Sequence, residues 1–233
     1  MEKIEVMPQT FLKFECPEKI ITDTFSLLED EVWDSYEEPT ATNKTYNYFL
    51  NRDPKYSDLF EWIGECLVEV KDEMGFLCDE LKITQSWGNR SRGEQWHRAH
   101  THPNSFLSGI LYITGSDSQT WFSMDSIWSS GEYSNLRVWG PTCEDHRILH
   151  KQSTVSGDMI IFPSSIKHSV NEHMDNWSNR YSISFNVFPS GKIGIFPDLS
   201  GMEIRVIDTT EEEYENDTAE KFKSKKSFGD FKF

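Results

Sequence analysis

Three histidines are the side chains of this sequence best suited to chemistry: His100 and His102, two positions apart, and His168, 66 residues later. Side chains two apart on an extended strand point to the same side, so His100 and His102 can both reach one ion. His168 follows a short apolar run from Gly157 to Pro163, and a fold that joins these strands completes a three-ligand metal site. Neutral imidazole suits iron, zinc, copper and nickel, so the ligand type leaves the metal open.

A second candidate group begins twelve residues after His168. Polar and apolar residues alternate there, so four polar side chains share one face of a predicted strand: Arg180, Ser182, Ser184 and Asn186. A guanidinium fork beside a hydroxyl suits one carboxylate of a dicarboxylic acid. A strand with such a face predicts a barrel with a polar, functional interior, and we expect that face to meet the metal.

Two amphipathic helices are predicted before the β-structure that must hold these residues. The first follows Pro17, runs for three to four turns, and places apolar residues from Ile21 to Val32 at helical spacing. The second follows Pro54 and carries a wide apolar stripe that ends near Gly75. Both helices are predicted to be scaffolding.

After Gly75 the sequence changes to short alternating runs separated by turns, which is typical of antiparallel β-structure. In one of these runs Ser108, Ile110 and Tyr112 share a face, which is the metal face if the pleat continues from His100. Residues 124–150 are predicted to form a long Trp- and Ser-rich insertion that acts as a substrate-facing lid. The predicted strands cover residues 81–89, 104–114, 119–123, 152–156, 158–162, 180–187 and 204–207, and residues 4–14 are predicted to form an irregular opening strand.

These patterns predict one domain over residues 1–208, mainly β with helical additions, in which helices occupy about 17–77 and the β core about 80–207. Residues 209–233 are rich in charge and poor in aliphatic side chains, and they are predicted to form a mobile tail.

Composition excludes some functions and favours one compartment. A formal net charge of −16 argues against bulk nucleic-acid binding, which depends on Lys and Arg. The chain begins without a secretory signal pattern and has no apolar run long enough to span a membrane, so we expect a cytoplasmic protein without a membrane partner. Its four cysteines lack C-x-x-C spacing, which indicates reduced thiols in a compartment that also suits ferrous iron.

Taken as an ordered set, these motifs resemble the 2-oxoglutarate/Fe(II)-dependent oxygenases, in particular a group found in marine bacteria and phages. The resemblance covers roughly residues 80–190, whereas the N-terminal helices and the tail match loosely. The matching segments are Ser86–Asn89, His100–Tyr112, Gly157–Ser164, His168–Val170 and Arg180–Asn186.

This resemblance implies a double-stranded β-helix, a jelly-roll or cupin-like barrel, flanked by N-terminal helices. It implies an oxidoreductase that uses Fe(II), 2-oxoglutarate and O2, and that hydroxylates a substrate while releasing succinate and CO2. The usual metal set of the family is H-x-D/E with a distal His, which carries over onto His100, the position of His102, and His168. Here His102 stands where the carboxylate is usual.

The resemblance also implies roles around the co-substrate. Arg180 and Ser182 would grip the distal carboxylate of 2-oxoglutarate, and Tyr112 and Asn89 are further candidates for that pocket, with a packing role as the alternative. No catalytic residue is predicted beyond the metal ligands.

The third metal ligand has alternatives. His102 is either a true ligand or a neighbour of one, in which case Glu94 could supply oxygen, and His97 also lies close in sequence. We favour His100, His102 and His168.

Two other functions fit part of the pattern. A cupin-type metal enzyme that does not use 2-oxoglutarate would share the histidines, but it would add a Glu a few residues after His102, and Pro103–Gly109 contains none. A structural metal-binding jelly roll would need a fourth ligand, for which His146, His150 and His173 are candidates. The substrate, a small molecule or a peptide, stays undefined, and strand edges leave a homodimer possible.

Overall fold

Two antiparallel sheets form the centre of the protein, as seen in a computed structural model that describes residues 10–34, 41–123, 148–172, 178–198 and 200–207. The larger, seven-stranded sheet has the order β1-β8-β5-β10-β3-β2, with β11 paired to β10, and the smaller has the order β4-β9-β6-β7. The strands are β1 (Leu12–Glu15), β2 (Asn43–Lys44), β3 (Cys78–Arg92), β4 (His97–His100), β5 (Leu107–Tyr112), β6 (Gln119–Ser123), β7 (Ile148–Ser153), β8 (Asp158–Pro163), β9 (Lys167–Val170), β10 (Asn179–Ile193) and β11 (Met202–Ile204).

Two helices pack on one face of the larger sheet. The first, α1, spans Glu18–Glu29 after Pro17, and the second, α2, spans Ser57–Met74. Gly75 ends α2 in the left-handed conformation at φ 63°, which glycine adopts without a Cβ penalty. Val32 lies beyond α1 and is 69% exposed, so its predicted place on the apolar stripe was wrong. The helices therefore lie where the sequence predicted them, with a shorter first helix.

The alternation of β10 divides the larger sheet into an apolar face and a polar face. Ile183, Phe185 and Val187 are fully buried in the core that also contains the apolar stripe of α2. Gly109 of β5 lies opposite Phe185, and a Cβ there would stand 2.0 Å from its ring, so only glycine fits. The other face of β10 points toward the smaller sheet, which makes the part of the space between the sheets that lies next to β10 polar.

The smaller sheet covers that polar face and adds aromatic packing of its own. Phe122 of β6 contacts Phe162 of the larger sheet with ring centroids 4.8 Å apart, and both side chains are almost fully buried. The cluster around them contains Ile110, Tyr112, Ile160 and Ile166. Two antiparallel sheets packed in this way confirm the predicted jelly-roll fold.

Several predicted strand limits were corrected. Residues 148–150 were assigned to the insertion, yet β7 already begins at Ile148, because Ser123 and Ile148 pair across the sheet. The last strand is Met202–Ile204 instead of 204–207, since its register is set by pairing with Gly191–Ile193 of β10. Long-range pairing of this kind leaves no local sequence signal.

Some predictions fall on residues that the structure does not describe. The predicted lid at 124–147 and the predicted tail at 209–233 lie outside the described residues, and a single domain over 1–208 stays a prediction. Cys16, Cys66 and Cys78 are free thiols, whereas Cys143 lies outside the described residues. Within the described part of the chain, no helix has the length and apolar character needed to cross a membrane.

Candidate metal and co-substrate site

The three predicted histidines meet between the two sheets. His100 of β4 pairs directly with His168 of β9, and His102 follows β4, where its backbone N–H donates to the carbonyl of Ser164 at 3.2 Å. Each histidine offers one ring nitrogen, and these atoms all lie within 4.8 Å of one another. Elsewhere in the described ranges, no other trio of His, Cys, Asp or Glu side chains is grouped in this way.

Hydrogen bonds at the outer ring nitrogens orient all three imidazoles. Nδ1 of His100 lies 2.8 Å from the carbonyl oxygen of Arg98, and Nδ1 of His168 lies 3.2 Å from that of Ile166. Nδ1 of His102 lies 2.5 Å from Oδ1 of Asn186. Because these oxygens only accept, each Nδ1 carries the proton and each Nε2 keeps its lone pair.

The inner nitrogens then suit a shared cation. Nε2 of His100 and Nε2 of His102 are 3.1 Å apart, and with both protons at Nδ1 no hydrogen bond can join them. Two nitrogen ligands at ~2.1 Å and at right angles around one ion lie about 3.0 Å apart, close to this separation. The residues present therefore fit a metal ion.

Burial keeps these imidazoles uncharged. Desolvation lowers the pKa of His102 to about 4 and that of His168 to about 3, and it also lowers the pKa of His100. A neutral imidazole is the form that binds metals, so at neutral pH all three histidines are in the form that a metal site requires.

The other candidate ligands do not join this group. His97 stacks on His100 with ring centroids 4.4 Å apart, and Glu94 is exposed. His150 is exposed and lies 3.2 Å from Gln152. The two remaining candidates, His146 and His173, lie outside the described residues.

Arg180 brings a buried positive charge to the same cavity. Its side chain is 5% exposed, and its Nη2 donates to Oγ of Ser91 at 2.9 Å. Its Nη1 is buried and has no hydrogen-bond partner among the residues that the structure describes. Burial lowers the pKa of Arg180 to about 10, which still leaves it charged at neutral pH. Burying a cation that has an N–H without a hydrogen bond costs free energy unless an anion binds next to it. The site therefore fits a carboxylate.

The other predicted co-substrate residues also line this cavity, which has a volume of about 30 Å³. Asn89 donates to Oγ of Ser184 at 2.9 Å and to Oγ of Ser182 at 3.4 Å. The hydroxyl of Tyr112 donates to Oγ1 of Thr120 at 2.8 Å, and desolvation raises its pKa to about 12. The structure therefore brings all seven predicted site residues to one cavity.

Two residues of the site were missed from the sequence. Ser91 accepts from Arg180 and lies 2.8 Å, Oγ to Oγ1, from Thr42, which also lines the cavity. The predicted strand ended at Asn89, whereas β3 continues to Arg92. With the correct end, strand alternation would have placed Ser91 on the same face as Asn89. Thr42 comes from a distant segment, and its place depends on a parallel bridge between Ala41 and Trp96 that has no local signal.

Comparison with known protein families agrees with the resemblance that the sequence motifs indicated. Residues 85–186 match a family described as "Putative 2OG-Fe(II) oxygenase". No protein of curated function matches the sequence.

Three solved structures illustrate the likeness in fold. HygX from Streptomyces hygroscopicus, with nickel and 2-oxoglutarate bound, has a TM-score of 0.56 at 12% identity and covers 78% of this chain and 83% of its own. The non-heme alpha-ketoglutarate-dependent epimerase SnoN from nogalamycin biosynthesis has a TM-score of 0.59 at 8% identity, covering 80% and 82%. A Pseudomonas putida prolyl-4-hydroxylase has a TM-score of 0.53 at 10% identity, covering 78% and 94%. At these identities the likeness concerns the fold.

Proposed function

We propose that this chain is a 2OG-Fe(II) oxygenase, as the family match over residues 85–186 supports. In this proposal His100, His102 and His168 bind the iron, and Arg180 binds 2-oxoglutarate. Enzymes of this family use Fe(II), 2-oxoglutarate and O2 and are oxidoreductases. The reaction we propose is hydroxylation of a substrate C–H bond with release of succinate and CO2. The substrate is a small molecule or a peptide.

The observation that carries this assignment concerns the buried Nη1 of Arg180, in the cavity that the three histidines share. It has no hydrogen-bond partner within the described part of the chain. A metal-binding site alone needs no such cation. The dicarboxylate 2-oxoglutarate offers one end to the metal and a second carboxylate to Arg180, so it satisfies both features at once.

Each residue has a separate task in the proposed site. Bound iron would supply the oxidative chemistry with 2-oxoglutarate and O2. The three histidines would hold the iron through their ring nitrogens. Arg180 neutralises the distal carboxylate, and Ser91 fixes the plane of the guanidinium. Asn89 holds the hydroxyls of Ser182 and Ser184 in place, so the co-substrate meets preset hydrogen-bonding groups.

The two rival functions are less well supported. A cupin-type enzyme without 2-oxoglutarate has no use for the buried Nη1 of Arg180, which makes no hydrogen bond to any described residue. A structural metal site would require a fourth ligand, and across the described segments no fourth His, Cys, Asp or Glu joins the three histidines.

We further propose where the substrate binds. A more open cavity of about 480 Å³ shares His97 and Val170 with the metal cavity, and it is also lined by Trp96 and Trp121. Its size suits a small molecule or a short peptide segment. Among proteins of similar fold, one structure of HygX contains hygromycin B, and a Trichoplax adhaerens prolyl hydroxylase is bound to a peptide fragment of hypoxia inducible factor.

A reducing, cytoplasmic environment is part of the proposal, since it would preserve both Fe(II) and the free thiols Cys16, Cys66 and Cys78. A homodimer is compatible with the strand edges that the fold leaves at β7 and β2.

Calorimetric titration of Ni(II)-loaded protein with 2-oxoglutarate tests the assignment. We expect binding that requires the metal and that weakens about 100-fold in Arg180→Met, the equivalent of ~3 kcal/mol for a buried charge-assisted contact. The control Arg205→Met removes an exposed arginine paired with Glu203 and should leave binding unchanged. 2-Oxobutyrate, which lacks the distal carboxylate, should bind equally to wild type and Arg180→Met. Equal 2-oxoglutarate affinity in wild type and Arg180→Met would contradict the proposal.

A further inference from the structure

The polar contacts at Nδ1 of His102 differ from those at Nδ1 of the other two histidines. His100 and His168 donate to backbone carbonyls, whereas Nδ1 of His102 contacts two buried side chains, Oδ1 of Asn186 at 2.5 Å and Oγ of Ser108 at 3.1 Å. Asn186 is 8% exposed and Ser108 is fully buried. His102 thus depends on side chains that substitution can change without altering the backbone.

A chain of hydroxyls fixes the direction of these contacts. Ser105 donates to the carbonyl of Leu107 at 2.7 Å, and Ser164 donates to Oγ of Ser105 at 2.8 Å. A hydroxyl has one proton, so the 2.8 Å contact between Ser108 and Ser164 must use the proton of Ser108. Ser108 therefore accepts from His102, which independently places the His102 proton on Nδ1.

This chain of contacts contains no charged group. It begins at Asn186 and Ser108 and ends at a peptide carbonyl, so nothing in it pulls the proton from His102 or adds negative charge. The strand geometry supports the pair, because Asn186 and Ser108 lie directly opposite each other on β10 and β5. The pairing of β10 with β3 has a register shift between Asn186 and Val187, and such a shift changes the direction in which nearby side chains point.

We propose that Asn186, assisted by Ser108, is a positioning residue that fixes His102 as the third, uncharged metal ligand in the place where a carboxylate is usual in the family. This inference rests on the proposed function, since it assumes that the three histidines bind the metal. Asn186 orients the unprotonated Nε2 of His102 toward the other two histidines, and it does so without adding a charge. The ligand set therefore stays neutral, and the metal keeps its full positive charge for the incoming dianionic co-substrate.

Titration of the apo-protein with Co(II), without co-substrate, tests this inference through affinity and the visible absorption bands of the bound metal. Asn186→Leu removes the acceptor, and we expect Co(II) binding to weaken 10- to 100-fold with altered bands. Asn186→Asp restores an acceptor and should bind Co(II) at least as tightly as wild type. Ser108→Ala, a smaller change, should weaken binding several-fold, because it removes the longer of the two contacts.

Controls separate a local effect from general damage and from failure of the proposed function. Asn51→Leu removes an amide that bonds with Ser86 away from the cavity, so it should keep wild-type Co(II) affinity. Wild-type affinity in Asn186→Leu, or a loss in Asn186→Asp equal to that in Asn186→Leu, would overturn the inference while leaving the metal site intact. Wild-type affinity in His100→Ala would instead refute the proposed metal site itself.

Discussion

At the scale of single residues, the chemistry of the site was predictable where residue type and spacing carry the signal. The alternation of strand side chains predicted that His100 and His102 share a side, and it also predicted this for Arg180 and Ser182. Both pairs line the same cavity, although His102 itself lies just after β4. The pairing of Arg180 with Ser91 was not predictable, because it joins residues 89 positions apart through a strand whose end was placed too early. Contacts of that kind depend on register, which a single sequence does not contain.

Burial also decides the reactivity of individual thiols, which gives a pH-dependent prediction. Cys16 and Cys66 are 5% and 4% exposed, and desolvation raises the pKa of each to about 12. A raised thiol pKa means less thiolate, about one molecule in ten thousand at pH 8. In native protein at pH 8, iodoacetamide should therefore leave both cysteines unmodified over a period that fully labels the denatured protein.

Peptide mass spectrometry measures this labelling, and the rate for both cysteines should rise with pH as thiolate forms. Cys78, which is half-buried, should react sooner than Cys16, because its side chain is the more accessible. Labelling of Cys16 in native protein as fast as in denatured protein would show that its thiol is not buried.

At the scale of elements, periodicity located the helices and most strands, and turn residues located several of their ends. Gly75 ends α2 as its position predicted. The start of β7 and the position of β11 were missed, because both depend on partners elsewhere in the sheet. Sequence thus indicated which segments form strands, whereas long-range pairing determined where some of them begin and end.

The contact between β5 and β10 gives a stability prediction. Gly109→Ala would place a methyl group 2.0 Å from the Phe185 ring, and we expect a loss of about 1–3 kcal/mol in the free energy of unfolding from overpacking. Gly64→Ala in α2 is the matched control, because no atom of the described residues lies within 4 Å of its added Cβ, and it should stabilise by ~0.5–1 kcal/mol.

Chemical denaturation measures both changes. The double variant Gly109→Ala/Phe185→Leu should recover part of the loss, since the smaller side chain leaves room for the methyl group. If Gly109→Ala were as stable as wild type, the close approach of the two strands would be wrong.

At the scale of the whole molecule, the fold serves to bring distant segments to one cavity. The proposed metal ligands lie on β4, after β4 and on β9, whereas Arg180 lies on β10 of the opposite sheet. A ligand that joins these parts binds only the folded state and must therefore stabilise it. The strongly negative net charge of −16 adds a general attraction for cations.

Metal binding should thus raise the melting temperature. At a free Ni(II) concentration 100 times its Kd, stabilisation is about 2.7 kcal/mol, which corresponds to a rise of roughly 5–10 °C for a chain of this size. Scanning fluorimetry measures the shift, and a chelator should reverse it. His168→Ala should lose the shift, whereas the exposed His150→Ala should keep it, so equal shifts in both variants would contradict the assigned ligands.

The central claim is that the three histidines and Arg180 form one site for iron and 2-oxoglutarate, and anaerobic visible spectroscopy tests it most directly. Addition of Fe(II) and then 2-oxoglutarate to the apo-protein should produce a weak metal-to-ligand charge-transfer band that needs both additions. The band should be absent in His102→Ala, should require far more 2-oxoglutarate in Arg180→Met, and should be unchanged in Arg205→Met. No band in wild type despite stoichiometric Fe(II), or the same 2-oxoglutarate dependence in Arg180→Met as in wild type, would contradict the account.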